Sequence, residues 1–462
     1  MTKRVPDVFV IVFALIVLAA VLTWVLPGGR YERRAEVVDG HARQLVVPGS
    51  FAQTAANPQF LEVFTAPLRG FVKLAEIIVF IFLVGGAFYI LNETGAIAAG
   101  TTRLARSLAG REFLVIPIVM TLFSFFGAAF GMCEEAMPFV LIFVPMALRL
   151  GYDSIVGVSL TFLAAGVGFA GAFLNPFTLQ IAQGIAGVKP VSGWEYRLVV
   201  WAVSTALVIT WVMIYAARVK RNPRLSPMYE LDRARREDLE ANRHLHAEFT
   251  RRHGLALLVL GAAIAAMIYG VIALDWYITE LGGLFLGMGV AAGICGGMGP
   301  NRLAAAFIAG VKDMAGAALI VGFAGGILVT LEDGGIMDTI LHGLSSATAS
   351  LPPLLAADAM YGVQLVLNFF IPSGSTKAAL TMPLMAPLAD LSGITRQTAV
   401  LAYQFGDGFT NMIIPTSGVT IGTLAMARIP YPKWFRWNLP LQVVFVLLSL
   451  AFLVWPVLTG WA

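Results

Sequence analysis

Along this chain apolar residues run in long stretches, and polar residues fall in the short gaps between them. The first run, 8–26, nearly reaches the roughly 20 residues a helix needs to cross the hydrocarbon core of a bilayer. Comparable runs follow at 74–91, 113–132, 155–174, 198–217, 255–274, 315–331, 354–371 and 439–458. Others are too short to cross alone, among them 139–150, 177–188, 282–294, 378–391, 399–414 and 419–429. The pattern predicts membrane helices and no barrel of short alternating strands. The run 8–26 follows a basic start and has no small-residue cleavage signal behind it, so it is expected to be a first span and not a removed leader.

Composition carries the same message. Of 462 residues 58% are apolar and 13% charged, and the mean hydropathy is +0.81, far from a soluble domain. The expected fold is an all-α polytopic membrane protein. Its 47 glycines and 23 prolines suit helices that pack closely in lipid and break where protein or a wet cavity surrounds them. Cys133 and Cys295 have apolar surroundings and no metal-ligand spacing, so free thiols are expected. The five histidines form no zinc-protease motif and no phosphate-binding glycine loop is present, which argues against hydrolytic or nucleotide chemistry and a cofactor. The net charge of +4 follows from basic residues expected on the cytoplasmic side and implies no nucleic-acid partner. Residues 218–253 hold ten Lys/Arg against six acids, which places this linker in the cytoplasm. Its charged stretch reads as a solvated helix.

The two halves align at one offset of 239 residues. Val72 and Lys73 meet Val311 and Lys312, Glu93 of ETGAI meets Glu332 of EDGGI, and Pro176 and Arg197 meet Pro415 and Arg436. With the amino terminus inside, the run 74–91 crosses inward and 315–331 crosses outward, so the copies are inverted and the carboxyl terminus is expected in the periplasm. Inverted repeats are an architecture of secondary transporters, with solute and ion sites near the midplane. The expected organisation is a first helix and external loop (1–70), a first repeat (71–217), the cytoplasmic linker (218–253), connecting helices (254–309) and a second repeat (310–462). Each repeat contains an amphipathic connection (96–111 and 336–350), a re-entrant hairpin (about 113–150 and 351–391) and a broken helix (about 154–188 and 394–429).

Four polar interruptions therefore meet at the membrane centre. The hairpin tips are CEEAM, with Glu134 and Glu135, and PSGST, with Ser373, Gly374, Ser375 and Thr376. The breaks are Asn175, Pro176 and Thr178, and Pro415, Thr416, Ser417 and Gly418, where proline removes a backbone donor and frees a carbonyl. Half-helix amino termini suit a carboxylate, and freed carbonyls and hydroxyls suit a small cation such as sodium. Ser373, Ser375, Thr376, Thr178, Thr416 and Ser417 are expected to cap the helices behind them. Glu134 and Glu135 could carry a proton, hold a cation or face a cationic solute; intramembrane acids are functional by default. Asp407, with Asn411 one turn later, is a second such site. Glu76 reads equally as an interface residue, and Lys377 as the partner of an acid or a neutraliser of its hairpin. An intramembrane enzyme would need a catalytic set that the chain lacks, and a channel would need a continuous pore and no solute site.

Together GMCEEAMPF, GAFLNPFTLQIAQGIAG, NFFIPSGSTKAALTMPLMAPLAD and QFGDGFTNMIIPTSG resemble the YfcC-type carriers of the DcuC-like anaerobic C4-dicarboxylate carrier group, within the ion transporter superfamily. The likeness spans nearly the whole chain. It implies a bacterial inner-membrane secondary carrier, a homodimer with a scaffold and an elevator-type transport domain, resembling the divalent anion/sodium symporters. In those symporters Ser-Asn-Thr motifs bind sodium and substrate carboxylates. Here PSGST keeps the hydroxyls without the Asn, and CEEAM places acids where hydroxyls would be. YfcC-type proteins are grouped with arginine/ornithine-type antiporters. Acids at the site attract a cationic side chain and repel a dianion, so the expected solute is a basic amino acid. The alternative is proton- or sodium-coupled transport of a C4-dicarboxylate or other small carboxylate.

Overall fold

A computed structural model describes residues 8–38, 41–107, 111–241, 249–274, 276, 278–346 and 351–461. Readings that rest on the basic start, on 108–110, on 242–248 of the charged linker, on 347–350 and on the last residue lie outside these. Among the described residues, seven helices are long and apolar enough to cross a membrane: Ala75–Glu93, Glu112–Phe130, Trp194–Arg221, Arg251–Gly270, Ile278–Cys295, Pro353–Phe370 and Tyr431–Thr459. The pair Pro300–Gly316 and Ala318–Asp333, bent by 42°, is long and apolar enough to make an eighth when taken as one span. The protein is a multi-pass membrane protein. Val8–Val25 and Ser154–Ala170 are further apolar helices.

Two features depart from the sequence reading. The region 1–70 is not only a helix and a loop: strands β1 (Gly28–Arg30), β2 (Arg33–Val38), β3 (His41–Val46) and β4 (Ala52–Thr54) form two antiparallel pairs, β1 with β4 and β2 with β3. Arg33 of β2 holds Asp338 at 2.7 Å, while Leu45 of β3 packs on Ala379 and Ile185. A helix also occupies Glu62–Lys73. It buries Val63, Ala66 and Gly70 against the bent span and turns Phe64, Leu68 and Val72 outward, where lipid can cover them. The backbones of Gly70 and Gly325 touch, the close approach that small residues allow in membranes.

Helices pack in two groups. Val8–Val25, Glu62–Lys73, Ala75–Glu93, Ile278–Cys295 and the bent span lie together. The other group joins Val115–Phe130 to Ala164–Ala170, and Pro353–Phe370 and Gly374–Leu391 to Arg396–Gly408. The succession of the first half recurs in the second: Ala96–Ser107 is followed by Val115–Phe130 and later by Trp194–Arg221, as Met337–Ser346 is by Pro353–Phe370 and Tyr431–Thr459.

Candidate functional site

The first arm, Val115–Phe130, ends at Gly131, whose φ of +70° suits glycine and turns the chain. Glu134–Phe139 form a 3₁₀ helix that leads into Val140–Arg149. A Cβ at Gly131 would stand 2.5 Å from Asn175 Oδ1, so the absent side chain lets the first tip touch the first break. The second arm pair, Pro353–Phe370 and Gly374–Leu391, turns at Ile371–Ser373. A Cβ at Gly374 would lie 2.5 Å from Thr178 Cγ2 and 2.7 Å from Asp407 Oδ2, so the second tip rests on both broken helices.

The breaks open earlier than the proline motifs predict. The leading half-helices end at Ala170 and Gly408, and the trailing ones begin at Pro176 and Gly418. Asn175 Oδ1 accepts from Phe177 N (2.9 Å) and Thr178 N (3.3 Å), and Pro176 has no N–H to satisfy. Ser417 Oγ accepts from Thr420 N at 3.3 Å, as expected of a cap. Other expected caps are corrected. Thr178 and Thr416 hydroxyls have no hydrogen-bond partner among the described residues, and Asn175 takes the capping role in the first copy. Ser373 holds the cap position of its helix but makes no cap bond; its hydroxyl donates to Thr376 Oγ1 at 3.0 Å. Ser375 lies inside the first turn.

All four interruptions face one cavity of about 310 Å³. Glu134 reaches it from the first tip and Thr178 from the first break. Ser373, Gly374 and Ser375 line it from the second tip, and Asn411, Thr416, Ser417 and Gly418 from the second break. The opposite wall comes from the other helix group through Lys73, Glu76 and Ile278. Glu135, Asn175, Pro176, Thr376, Asp407 and Pro415 do not line it. A crevice of about 330 Å³ near Arg235, Asp313 and Arg428 is larger but contains no part of a tip or break.

The two adjacent glutamates separate in space. Glu134 is half-buried and faces the cavity, whereas Glu135 is buried and its Oε2 accepts from Cys133 N at 3.0 Å. Asp407 sits behind Gly374 and pairs with Lys377 (Nζ to Oδ1 3.0 Å), both fully buried. Lys377 Nζ also donates to Asn368 Oδ1 at 2.8 Å. Asn368 Nδ2 donates to Asp407 O, Thr410 Oγ1 and Asn411 Oδ1 at 3.1, 2.8 and 3.0 Å. The sequence reading missed Asn368, although a lone amide in an apolar arm just before a polar tip is a usable signal. It missed Lys73 too, which is held by Glu332. Among the described residues no group of three or more His, Cys, Asp or Glu is placed to hold a metal ion. The oxygens gathered here suit instead a small hard cation or a solute's own charged groups.

The comparisons with known proteins point to carriers. A family model described as "C4-dicarboxylate anaerobic carrier" (DcuC) matches residues 5–458. An Escherichia coli K12 protein named "Putative basic amino acid antiporter YfcC" is 40% identical over 496 aligned positions, covering 99% of this chain and 97% of that protein. A Haemophilus influenzae protein without an assigned function is 30% identical, over 98% of this chain and 97% of its own. Among solved structures, Neisseria gonorrhoeae MtrF, described as one of a class of antimetabolite efflux pumps, aligns with a TM-score of 0.43 at 18% identity, over 98% of this chain and 96% of its own. The Alcanivorax borkumensis YdaH transporter aligns at 0.41 and 17%, over 98% and 100%.

Proposed function

Because the chain belongs to the DcuC family of C4-dicarboxylate anaerobic carriers, and is a transporter and not an enzyme, we propose that it exchanges basic amino acids across a bacterial inner membrane. One observation carries the reading: Glu134 shares a cavity with the first turns of three helices, at Thr178, Ser375 and Gly418. The positive ends of these helices hold an α-carboxylate, while the glutamate faces a cationic side chain. At about 310 Å³ the cavity is of the size that takes one small solute. A dianion would meet Glu134 with like charge. The relative's printed name agrees with this choice of solute.

The rest of the reading follows. The two halves are inverted copies, the hairpins and broken helices move as an elevator body against the other helix group, and two chains assemble. The amino terminus and the linker face the cytoplasm and the carboxyl terminus the periplasm. The test is uptake into proteoliposomes loaded with arginine or ornithine, with proton and sodium gradients imposed separately. Saturable arginine exchange that Glu134→Gln removes supports the assignment. Succinate uptake that survives Glu134→Gln and Glu135→Gln would overturn it. For the topology, Ser50→Cys should react with an impermeant reagent on intact cells and Asn222→Cys only after permeabilisation.

A further inference from the structure

We propose that Lys377 is a built-in cation, its ammonium standing beside Asp407 where a sodium ion from solution would otherwise bind. Its surroundings are those of an ion site. The ammonium lies 3.0 Å from Asp407 Oδ1 and 2.8 Å from Asn368 Oδ1, and 5.5 Å from the centre of the Tyr403 ring. Three acceptors engage Asn368 Nδ2, which fixes the amide orientation and turns its oxygen towards the lysine. Neither Lys377 nor Asp407 is exposed.

A pair buried this deeply adds little to stability over apolar packing, so its presence calls for another role. The position supplies one. Lys377 lies in the first turn of the helix behind the second tip, and Asp407 ends the leading half-helix opposite. Gly374, which lines the cavity, covers the second Asp407 oxygen, and that oxygen has no hydrogen-bond partner among the described residues. The charge that would otherwise arrive with a coupling ion is therefore tied to the tip itself. At the offset of 239 residues, Lys377, Asp407 and Asn368 correspond to Pro138, Gly168 and Ala129. These positions of the first copy thus hold no such pair, and the acid that faces the cavity from that copy is Glu134. One end of the site carries a fixed cation and the other an acid open to solute or ion.

The inference rests on the carrier reading for its bearing on coupling, but its test needs no organic solute. Unfolding of the purified protein is followed in sodium chloride and in choline chloride of equal ionic strength. The wild type is expected to show no sodium-specific rise in melting temperature that Asp407→Asn removes. Lys377→Ala frees the position and should gain a saturable, sodium-specific rise of about 2 °C or more. The double variant Lys377→Ala/Asp407→Asn should lose it. A folded Lys377→Ala without a sodium response would overturn the proposal, because the lysine would then be only a structural tie. A wild-type sodium response that Asp407→Asn abolishes would overturn it as well. Should Lys377→Ala not fold, the wild type is compared with the neutral pair Lys377→Met/Asp407→Asn: a sodium response present only in the wild type rejects the proposal, and none in either upholds it. Failure of the amino-acid reading, scored by uptake, leaves this titration unchanged.

Discussion

Glu134 and Glu135 are adjacent in sequence, yet one faces the cavity and the other is turned back onto the tip backbone. Their neutral variants should therefore fail differently. Glu134→Gln should fold normally and weaken arginine binding about tenfold or more, read by ligand-induced stabilisation. Glu135→Gln replaces the carboxylate acceptor of Cys133 N in a buried setting and should lower thermal stability first. The breaks offer a second contrast. Asn175→Ala removes a cap and should cost about 1 kcal/mol, whereas Thr416→Ala removes an unpartnered hydroxyl and should change stability by less than about 0.5 kcal/mol while impairing uptake. Equal losses of folded protein in both would make Thr416 a structural residue. Gly131→Ala meets a left-handed turn and Asn175 Oδ1 at once, and a destabilisation of about 1–2 kcal/mol in thermal or denaturant unfolding is expected.

Elements were legible where one rule decided them. Apolar runs revealed the long helices, because lipid imposes a length and an absence of charge. Prolines marked the breaks, but not where they begin, since the leading half-helices already end at Ala170 and Gly408, several residues before Pro176 and Pro415. The helix Glu62–Lys73 was missed because Glu62, Arg69, Lys73 and Pro67 interrupt its apolar pattern, and the first half of the bent span was hidden by Arg302, Lys312 and Asp313 in the same way. Caps were half legible: the residue types were right, but whether a hydroxyl meets an N–H or another side chain depends on a backbone turn that sequence does not specify. Across the polar turn from the end of Gly374–Leu391 to the start of Arg396–Gly408, Arg396 bonds both Asp390 oxygens and also Ala186 O. Its hydrogen bonds hold the Asp390 carboxyl below the usual aspartate range. A lowered value means that this tie is complete above the ordinary value and is lost as the pH falls through the lowered one. Below about pH 4 the wild type should lose its small stability advantage over Asp390→Asn, measured by thermal unfolding across pH.

Across the whole molecule the cavity at the tips and breaks belongs to both helix groups at once, with the tips and breaks on one side and Lys73, Glu76 and Ile278 on the other. Sequence could bring the tips and breaks together through the repeat, but not the far wall, which exists only once the groups pack. The strand hairpin of β2 and β3 joins Met337–Ser346 to the second arm pair and the first trailing half-helix. Arg33 fastens it to Asp338, and Leu45 leans on Ala379 of the second hairpin and Ile185 of the first trailing half-helix. In the elevator motion proposed above, it would act as a leash whose slack limits the stroke. If the hairpin body slides during exchange, this apolar grip has to slip or the strands must travel with it. A crosslink between Leu45→Cys and Ala379→Cys should then stop turnover while leaving solute binding intact, and a reductant should restore it. Undiminished exchange in the crosslinked protein would mean that the strands ride along, and that the sliding surface lies between them and Met337–Ser346.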